Sequence, residues 1–346
     1  MKRKSKLLLN YLLVVIYIVC AFGCNGKVYL TTGLDADQLL KVSGEVVPIS
    51  IGKLILATQR NNYQEELGEE IWKVNVDGVS MEEKLKEVVK LQLAELKTIS
   101  MLAKEKNILL SNSEKENISK AAEAYYGELT EEEKESLGIT KEDIYTLYEY
   151  FRVSEKLYDL TVNSADVEIS DEEARVIKVQ YCFVKTYYID ENNNEIELDE
   201  DGKAAAENRI HEAYTRLQSG TDFSVIAKEY SDDTIYEYEF GRGEMEKNFE
   251  DAAFQLENGG ISEIITGEKG FYIIKCINSY DELKTEENKR QLLEEYKNKA
   301  FMDMYEPFLN KQTYEYNDKE YNSIDINSLI LDNSKLYEIY SQYVEE

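Results

Sequence analysis

Side chains that commonly do chemistry are scarce in this sequence. It holds one histidine, His211, and four cysteines among 346 residues. His211 lies in "AAENRIHEAYTRLQ", whose apolar spacing predicts a helix with the histidine on its surface. Most histidine-based catalysis and zinc coordination are therefore excluded, and nothing in the sequence suggests a metal or an organic cofactor.

One tyrosine stands where a polar side chain is unexpected. The segment "TGEKGFYIIKC", Thr266 to Cys276, predicts a glycine-bounded turn that leads into a short apolar strand. Tyr272 is one of the few polar-tipped side chains on that strand. Because a tyrosine hydroxyl both donates and accepts hydrogen bonds, its role depends on what other groups converge there.

Two longer stretches carry a recognisable pattern. They are "SGTDFSVIAKEYSDDT" and, further on, "FGRGEMEKNFEDAAFQLENGGISEIITGEKGFYIIKC". In this order they resemble the parvulin family of peptidyl-prolyl isomerases, over about residues 174 to 280. The resemblance implies a small α+β domain that binds X-Pro segments of polypeptides.

The polar part of the implied site departs from the family pattern. Parvulins generally carry one histidine on the first strand and another on the last, and these positions fall on Tyr181 and Tyr272. The family's third polar group, an Asp or Cys after "YS", is matched by Asp233, with Asp232 beside it. The resemblance therefore implies Tyr181, Asp233 and Tyr272 as catalytic residues, joined in a hydrogen-bonded network.

The apolar cradle for the proline ring is also matched. Met245 and Phe249 occupy its positions, with Phe240 beside them, and ordinary core packing is the alternative for these residues. The loop "TIYEYE" before Phe240 is shorter than the family's usual loop and holds no basic cluster. A preference for phosphorylated substrates is therefore not expected.

Two activities remain open for such a site. Prolyl isomerisation breaks no bond, because its barrier of about 18–20 kcal/mol is rotation about a partial double bond. An apolar pocket that stabilises the twisted amide lowers that barrier, and tyrosine hydroxyls could hold the site together in place of the histidines. The larger rings could instead fill the pocket, which would leave a non-catalytic holdase that only binds peptide.

The first residues predict export. A basic head, Lys2 to Lys6, precedes an apolar run from Leu7 to Phe22, which is typical of an export signal. The run ends in "AFGC", which resembles the lipobox of bacterial lipoproteins with Ala21 in place of the usual leucine. The resemblance implies lipidation of Cys24, with an uncleaved anchor helix as the alternative. Either way the chain is expected at the extracytoplasmic face of the bacterial cell membrane.

The remaining sequence predicts an α+β protein. Residues 75–165 predict a helical bundle with a capping box at Thr130, a second capping box is predicted at Ser170, and Leu283 to Asn310 predict one long helix. The tail suggests a strand near "YNSIDI" and a terminal helix.

With the lipobox, this pattern resembles the PrsA and SurA class of extracytoplasmic foldases. The resemblance implies four parts, which are a signal peptide over 1–23, a helical chaperone domain over 24–170, an inserted parvulin-like domain over 171–281, and a carboxy-terminal helix and tail over 282–346.

Composition limits the partners. With 69 acidic and 40 basic residues the formal net charge is -29, which repels nucleic acid phosphates. The resemblance implies unfolded or partly folded exported polypeptides as clients. Tyr145, Tyr148 and Tyr150 could line a groove for them, or could occupy ordinary helix positions.

A solute-binding lipoprotein would need a larger α/β region, and the sequence leaves monomer and homodimer open.

The two cysteines outside the leader test the strand assignment independently. Side chains alternate along a strand, so Cys182 faces away from Tyr181, whereas Cys276 shares the face of Tyr272. If both tyrosines line one site, the thiols lie on opposite faces of the sheet. No disulfide between them is therefore expected.

Overall fold

The computed structural model describes residues 27–28, 33–164 and 168–344, so Cys24 and the predicted signal lie outside the described residues. The chain folds as two compact units, the first made of Met1–Asp166 with Asn298–Glu346 and the second of Val167–Lys297. Helices and sheets both occur, which confirms the α+β class. Within the described ranges, no helix combines the length and the apolar character needed to cross a bilayer.

The first unit opens with short strands followed by long helices. Its strands here are β1 Lys27–Val28, β2 Gln38–Val42, β3 Glu45–Pro48, β4 Asn75–Val76 and β5 Val79–Ser80. Its helices are α1 Ile49–Leu67, α2 Met81–Glu105, α3 Asn112–Glu128, α4 Glu131–Leu137 and α5 Lys141–Ser164. A 3₁₀ helix, Glu69–Lys73, precedes β4.

The second unit alternates strands and helices, and the chain then returns to the first unit. Its strands are β6 Ile177–Lys185, β7 Tyr187–Ile189, β8 Glu195–Glu197, β9 Glu237–Phe240, β10 Ile265–Thr266 and β11 Gly270–Asn278. Its helices are α6 Asp171–Ala174, α7 Glu200–Gln218, α8 Phe223–Tyr230 and α9 Lys247–Ala253. α10 Glu282–Leu309 begins in the second unit and ends in the first, and the elements that follow are β12 Thr313–Tyr316, α11 Asp318–Asn322, a 3₁₀ helix Ile326–Ser328 and α12 Leu336–Val344.

Side-chain caps explain where several helices begin. Ser80, Ser111 and Thr130 each form a capping box with the glutamate three residues further on. The capping box predicted at Thr130 is therefore confirmed. Ser170 accepts a hydrogen bond from the backbone N–H of Glu173, but the reciprocal bond of a full box is not formed.

The strand predicted near "YNSIDI" was wrong. Those residues form the end of α11 and the start of a 3₁₀ helix, and the strand of the tail lies earlier, at β12. β12 lies between β1 and β2 in a sheet of order β1-β12-β2-β3. The buried Arg60 guanidinium donates to the carbonyls of Ile326 and Leu329, and these bonds hold the segment against α1 as turns.

In the second unit, a four-stranded sheet separates two hydrophobic clusters. The strand order is β10-β11-β6-β9 and each neighbouring pair is antiparallel. α7 and α8 pack on one face, over Cys182 and Ile273. α9 packs on the other, over Val179 and Ile274.

The cysteines follow this division. Cys182 lies in the cluster under α7 and α8, and the pairing of Ile273 with Cys182 places both on that face. Cys276 lies two strand positions beyond Ile274, on the opposite face. Both thiols are free, as the alternation predicted.

Candidate functional site

The two site tyrosines lie on neighbouring strands of the sheet of the second unit. Tyr181 of β6 is paired with Ile274 of β11, and Tyr272 of β11 is paired with Phe183 of β6. Because alternate residues share a face, both rings point toward α9, and their centroids are 6.5 Å apart. Both side chains are half-buried. The structure therefore brings the two predicted positions together.

Asp233 is the carboxylate that faces these rings. The Tyr181 hydroxyl donates to Asp233 Oδ2 at 3.0 Å. Its neighbour Asp232 turns away, accepting from the Lys185 backbone N–H at 2.9 Å and from Arg209 at 2.7 Å. Of the two adjacent aspartates, Asp233 belongs to the site and Asp232 anchors the loop.

The hydroxyl of Tyr272 takes no part in that bond. Among the described residues it has no hydrogen-bond partner, so the predicted three-residue network is present only as the Tyr181–Asp233 pair. Burial, reinforced by the Asp233 carboxylate, raises the pKa of Tyr181 well above its ordinary value. Burial and the nearby Glu246 carboxylate do the same to the pKa of Tyr272. Both hydroxyls are therefore protonated at neutral pH.

The predicted proline cradle is an aromatic cluster with little open surface. The Phe249 ring meets Tyr272 edge-on at 5.1 Å and Tyr181 at 5.8 Å, and it lies 5.8 Å from Phe240. Phe249 is 0% exposed and Phe240 is 1% exposed. Met245 packs on the same cluster and is partly exposed. Of the predicted site residues in this cluster, Met245 and the two tyrosines retain exposed surface.

Sequence reasoning missed a glutamate at this site. Glu246, just before α9, accepts from the Glu268 backbone N–H at 2.9 Å through Oε2. Its Oε1 is buried and has no hydrogen-bond partner in the described part of the chain. A Cβ on Gly267 would lie 1.9 Å from that Oε1 and 2.6 Å from Tyr272 Cε2. Glycine at 267 thus leaves room for the Glu246 carboxylate and the Tyr272 ring. The glycine in the "TGEKG" turn was the only feature of the sequence that pointed to this close approach.

Replacing Tyr181 by phenylalanine tests the Tyr181–Asp233 bond. We expect the second unit to lose about 1 kcal/mol of unfolding free energy, because a partly buried carboxylate loses its donor. Tyr272→Phe removes a hydroxyl without a partner and should change stability little. Thermal unfolding followed by the near-ultraviolet circular dichroism of the tyrosines measures the stability of both variants. Equal losses in the two variants would contradict the assignment.

The other candidates fall elsewhere. His211 is exposed on α7, as predicted. In the first unit, a cavity of about 340 Å³ is lined by Tyr150, Lys97, Met101 and other residues. Tyr148 is fully buried and donates to the Leu336 carbonyl at 2.7 Å, so it is not available to a client. No set of three potential metal ligands clusters within the described residues.

Comparisons with known proteins match both the second unit and most of the chain. A family model described as the PPIC-type PPIase domain matches residues 192–278, a range that contains Asp233 and Tyr272 but not Tyr181. The foldase protein PrsA of Caldanaerobacter subterraneus subsp. tengcongensis is 31% identical over 288 residues, which cover 77% of this chain and 85% of that protein.

Two further relatives were found. The peptidyl-prolyl cis-trans isomerase ESS1 of Saccharomyces cerevisiae is 40% identical over 83 residues, 22% of this chain and 49% of that protein. The crystal structure of peptidylprolyl isomerase PrsA from Bacillus cereus is 22% identical, with a TM-score of 0.34, and the match covers 79% of this chain and 98% of that one.

Proposed function

The chain belongs to the PrsA family of foldases, and from this premise we propose that it is a membrane-anchored extracytoplasmic foldase for exported proteins. The basic and apolar first residues, followed by Cys24, support lipid anchoring at that cysteine. Residues 24–170 with 282–346 form the proposed chaperone domain, and residues 171–281 form the proposed parvulin-like domain. The clients are unfolded or partly folded exported polypeptides.

The parvulin-like domain binds X-Pro segments on the surface formed by Tyr181, Met245 and Tyr272. One observation carries this proposal, which is the pair of half-buried tyrosine rings 6.5 Å apart above Phe249. Aromatic faces offer a large apolar contact to a proline ring. The partly exposed Met245 adds an adaptable apolar edge to the same surface.

Catalysis follows from what these residues do to a bound amide. The apolar surface removes water from the X-Pro bond, which favours the twisted, less dipolar state over the planar amide. Tyr272 is the residue we assign to contact the substrate, because its hydroxyl proton is uncommitted and can donate to the twisted amide. Tyr181 and Asp233 are positioning residues, since their mutual hydrogen bond fixes the ring that flanks Tyr272.

A second candidate function is a non-catalytic holdase. It is favoured by the full burial of Phe240 and Phe249, which places the deeper part of the predicted cradle beneath the tyrosine rings. In this case the domain binds peptide on the outer surface without turnover.

Refolding assays separate the two candidates. We expect catalytic amounts of the chain to speed, several-fold, the refolding of an unfolded protein whose slow phase is X-Pro isomerisation. Met245→Ala should remove this acceleration, whereas Val225→Ser, at an exposed position on α8, should not. Aggregation suppressed without acceleration would select the holdase. If the chain neither accelerates refolding nor suppresses aggregation, the foldase proposal is contradicted.

A further inference from the structure

The first unit exposes apolar side chains around a small hairpin. We define the hairpin patch as Tyr63, Trp72, Val74, Val76 and Val79. The three valines are 42%, 39% and 40% exposed. Val76 pairs with Val79 across the hairpin, and Val74 lies two positions before Val76, so all three share one face. Beside them, the rings of Tyr63 and Trp72 are in edge contact at 6.3 Å.

The hairpin is preformed and has one open edge. Asp77 and Gly78 have φ values of 57° and 82°, the positive values that a tight two-residue hairpin turn requires. β4 and β5 form a two-stranded sheet, so within the described chain β4 has no second neighbour. The far side of β5 differs, because the Ser80 N–H donates to Glu83 in the cap of α2. A further strand can therefore add only beside β4.

The rim of the patch is strongly acidic. Between residues 65 and 83 the chain has seven carboxylates and one basic residue, Lys73, which pairs with Glu70 at 2.8 Å. Glu65, Glu66, Glu69 and Asp77 are exposed and have no ion pair in the described structure, and the exposed Glu83 caps α2 through Ser80. Two copies of this surface would repel each other, whereas a cationic chain would be attracted.

We propose that the hairpin patch is a docking site for extended polypeptide segments in which aliphatic residues alternate with lysine or arginine. The segment adds as a strand beside β4, its aliphatic side chains contact the valines, and its cations face the acidic rim. This inference rests on the proposed foldase function and specifies a class of client segment. It requires no proline, so it is independent of the tyrosine site.

The chain supplies its own probe, because Trp72 is its only tryptophan. We would titrate the full chain with an eight-residue peptide of alternating valine and lysine, and follow Trp72 emission. The control peptides replace lysine with glutamate, or carry N-methyl groups that block strand pairing. We expect a saturable emission change with the lysine peptide alone, weakened at least fivefold between 20 and about 500 mM salt by charge screening.

Two variants complete the test. Val74→Ser, Val76→Ser and Val79→Ser together should weaken binding at least tenfold, with Val225→Ser in the second unit as the matched control. If the triple variant fails to fold by circular dichroism, Glu66→Lys with Glu69→Lys keeps the valines and the turn, and should weaken binding of the lysine peptide at least fivefold because the rim becomes less acidic.

Equal binding of the lysine and glutamate peptides would overturn the proposal, as would undiminished binding by the folded triple variant. A concentration-dependent dimer lost in that variant would identify a second copy as the occupant and would also overturn it. The foldase proposal is tested separately, by measuring whether the triple variant still accelerates the proline-limited refolding of a client protein.

Discussion

Replacing Glu95 by glutamine is expected to raise the unfolding free energy of the first unit by about 3–5 kcal/mol at pH 8 and above. Glu95 lies in α2, is 6% exposed, and its Oε1 has no hydrogen-bond partner among the residues that the structure describes. Burial raises the pKa of this carboxyl from 4.5 to about 8. The folded chain therefore holds a proton that the unfolded chain releases.

The sign of the pH dependence follows directly. Between pH 4.5 and about 8 the unfolded state binds fewer protons than the folded state, so stability falls as pH rises, by about 1.4 kcal/mol per unit at most. Glutamine removes this slope, and near pH 4 the two proteins should be almost equally stable.

Urea unfolding followed by Trp72 fluorescence reads the first unit alone, because the only tryptophan lies there. Glu105→Gln, at an exposed position in the same helix, is the matched control. An unchanged slope in the Glu95 variant would show that Glu95 ionises normally in the folded state.

Gly270→Ala is expected to destabilise the second unit by about 3 kcal/mol or more. A Cβ at this position would lie 2.2 Å from the Val184 carbonyl oxygen and 2.7 Å from Phe183 Cε2. The first contact is with a backbone atom. That atom can move away only if β6 and β11 separate where Gly270 pairs with Lys185. Because Phe183 stacks on Tyr272 at 4.5 Å, the tyrosine site should be lost with the pairing.

Gly243→Ala provides the matched control. Its Cβ would enter open space, but its φ of 84° is unfavourable for alanine, so about 1 kcal/mol is expected. Amide hydrogen exchange of the β6 and β11 segments, measured by mass spectrometry, compares the two variants. Equal protection of both strands in the Gly270 and Gly243 variants would contradict the predicted clash.

The face of each strand residue could be predicted from sequence. Once the resemblance puts Tyr181 and Tyr272 on one face, alternation along β6 and β11 puts Cys182 on the opposite face and Cys276 on the same face, as observed. Local caps such as that of Thr130 were also predictable, because their partners lie three residues apart. Alternation within one strand and caps within one turn depend only on near neighbours in the chain.

Other features depend on residues far away in the sequence. The choice between Asp232 and Asp233 is decided by Arg209 of α7, which binds Asp232. The tail near Ile326 forms turns because Arg60, distant in the chain, bonds its carbonyls. The burial of Phe249 follows from how α9 packs on the sheet. Sequence patterns specify none of these contacts, since each needs the tertiary fold.

The proposed isomerase is tested most directly by exchange NMR of a short Ala-Pro peptide labelled at the proline. Catalytic amounts of the chain should produce cis–trans exchange peaks absent from the free peptide. Tyr272→Phe should slow exchange at least tenfold while leaving peptide binding nearly unchanged, because the hydroxyl acts on the twisted amide. Exchange no faster than that of the free peptide, at saturating chain, would contradict a catalytic role for the tyrosine pair.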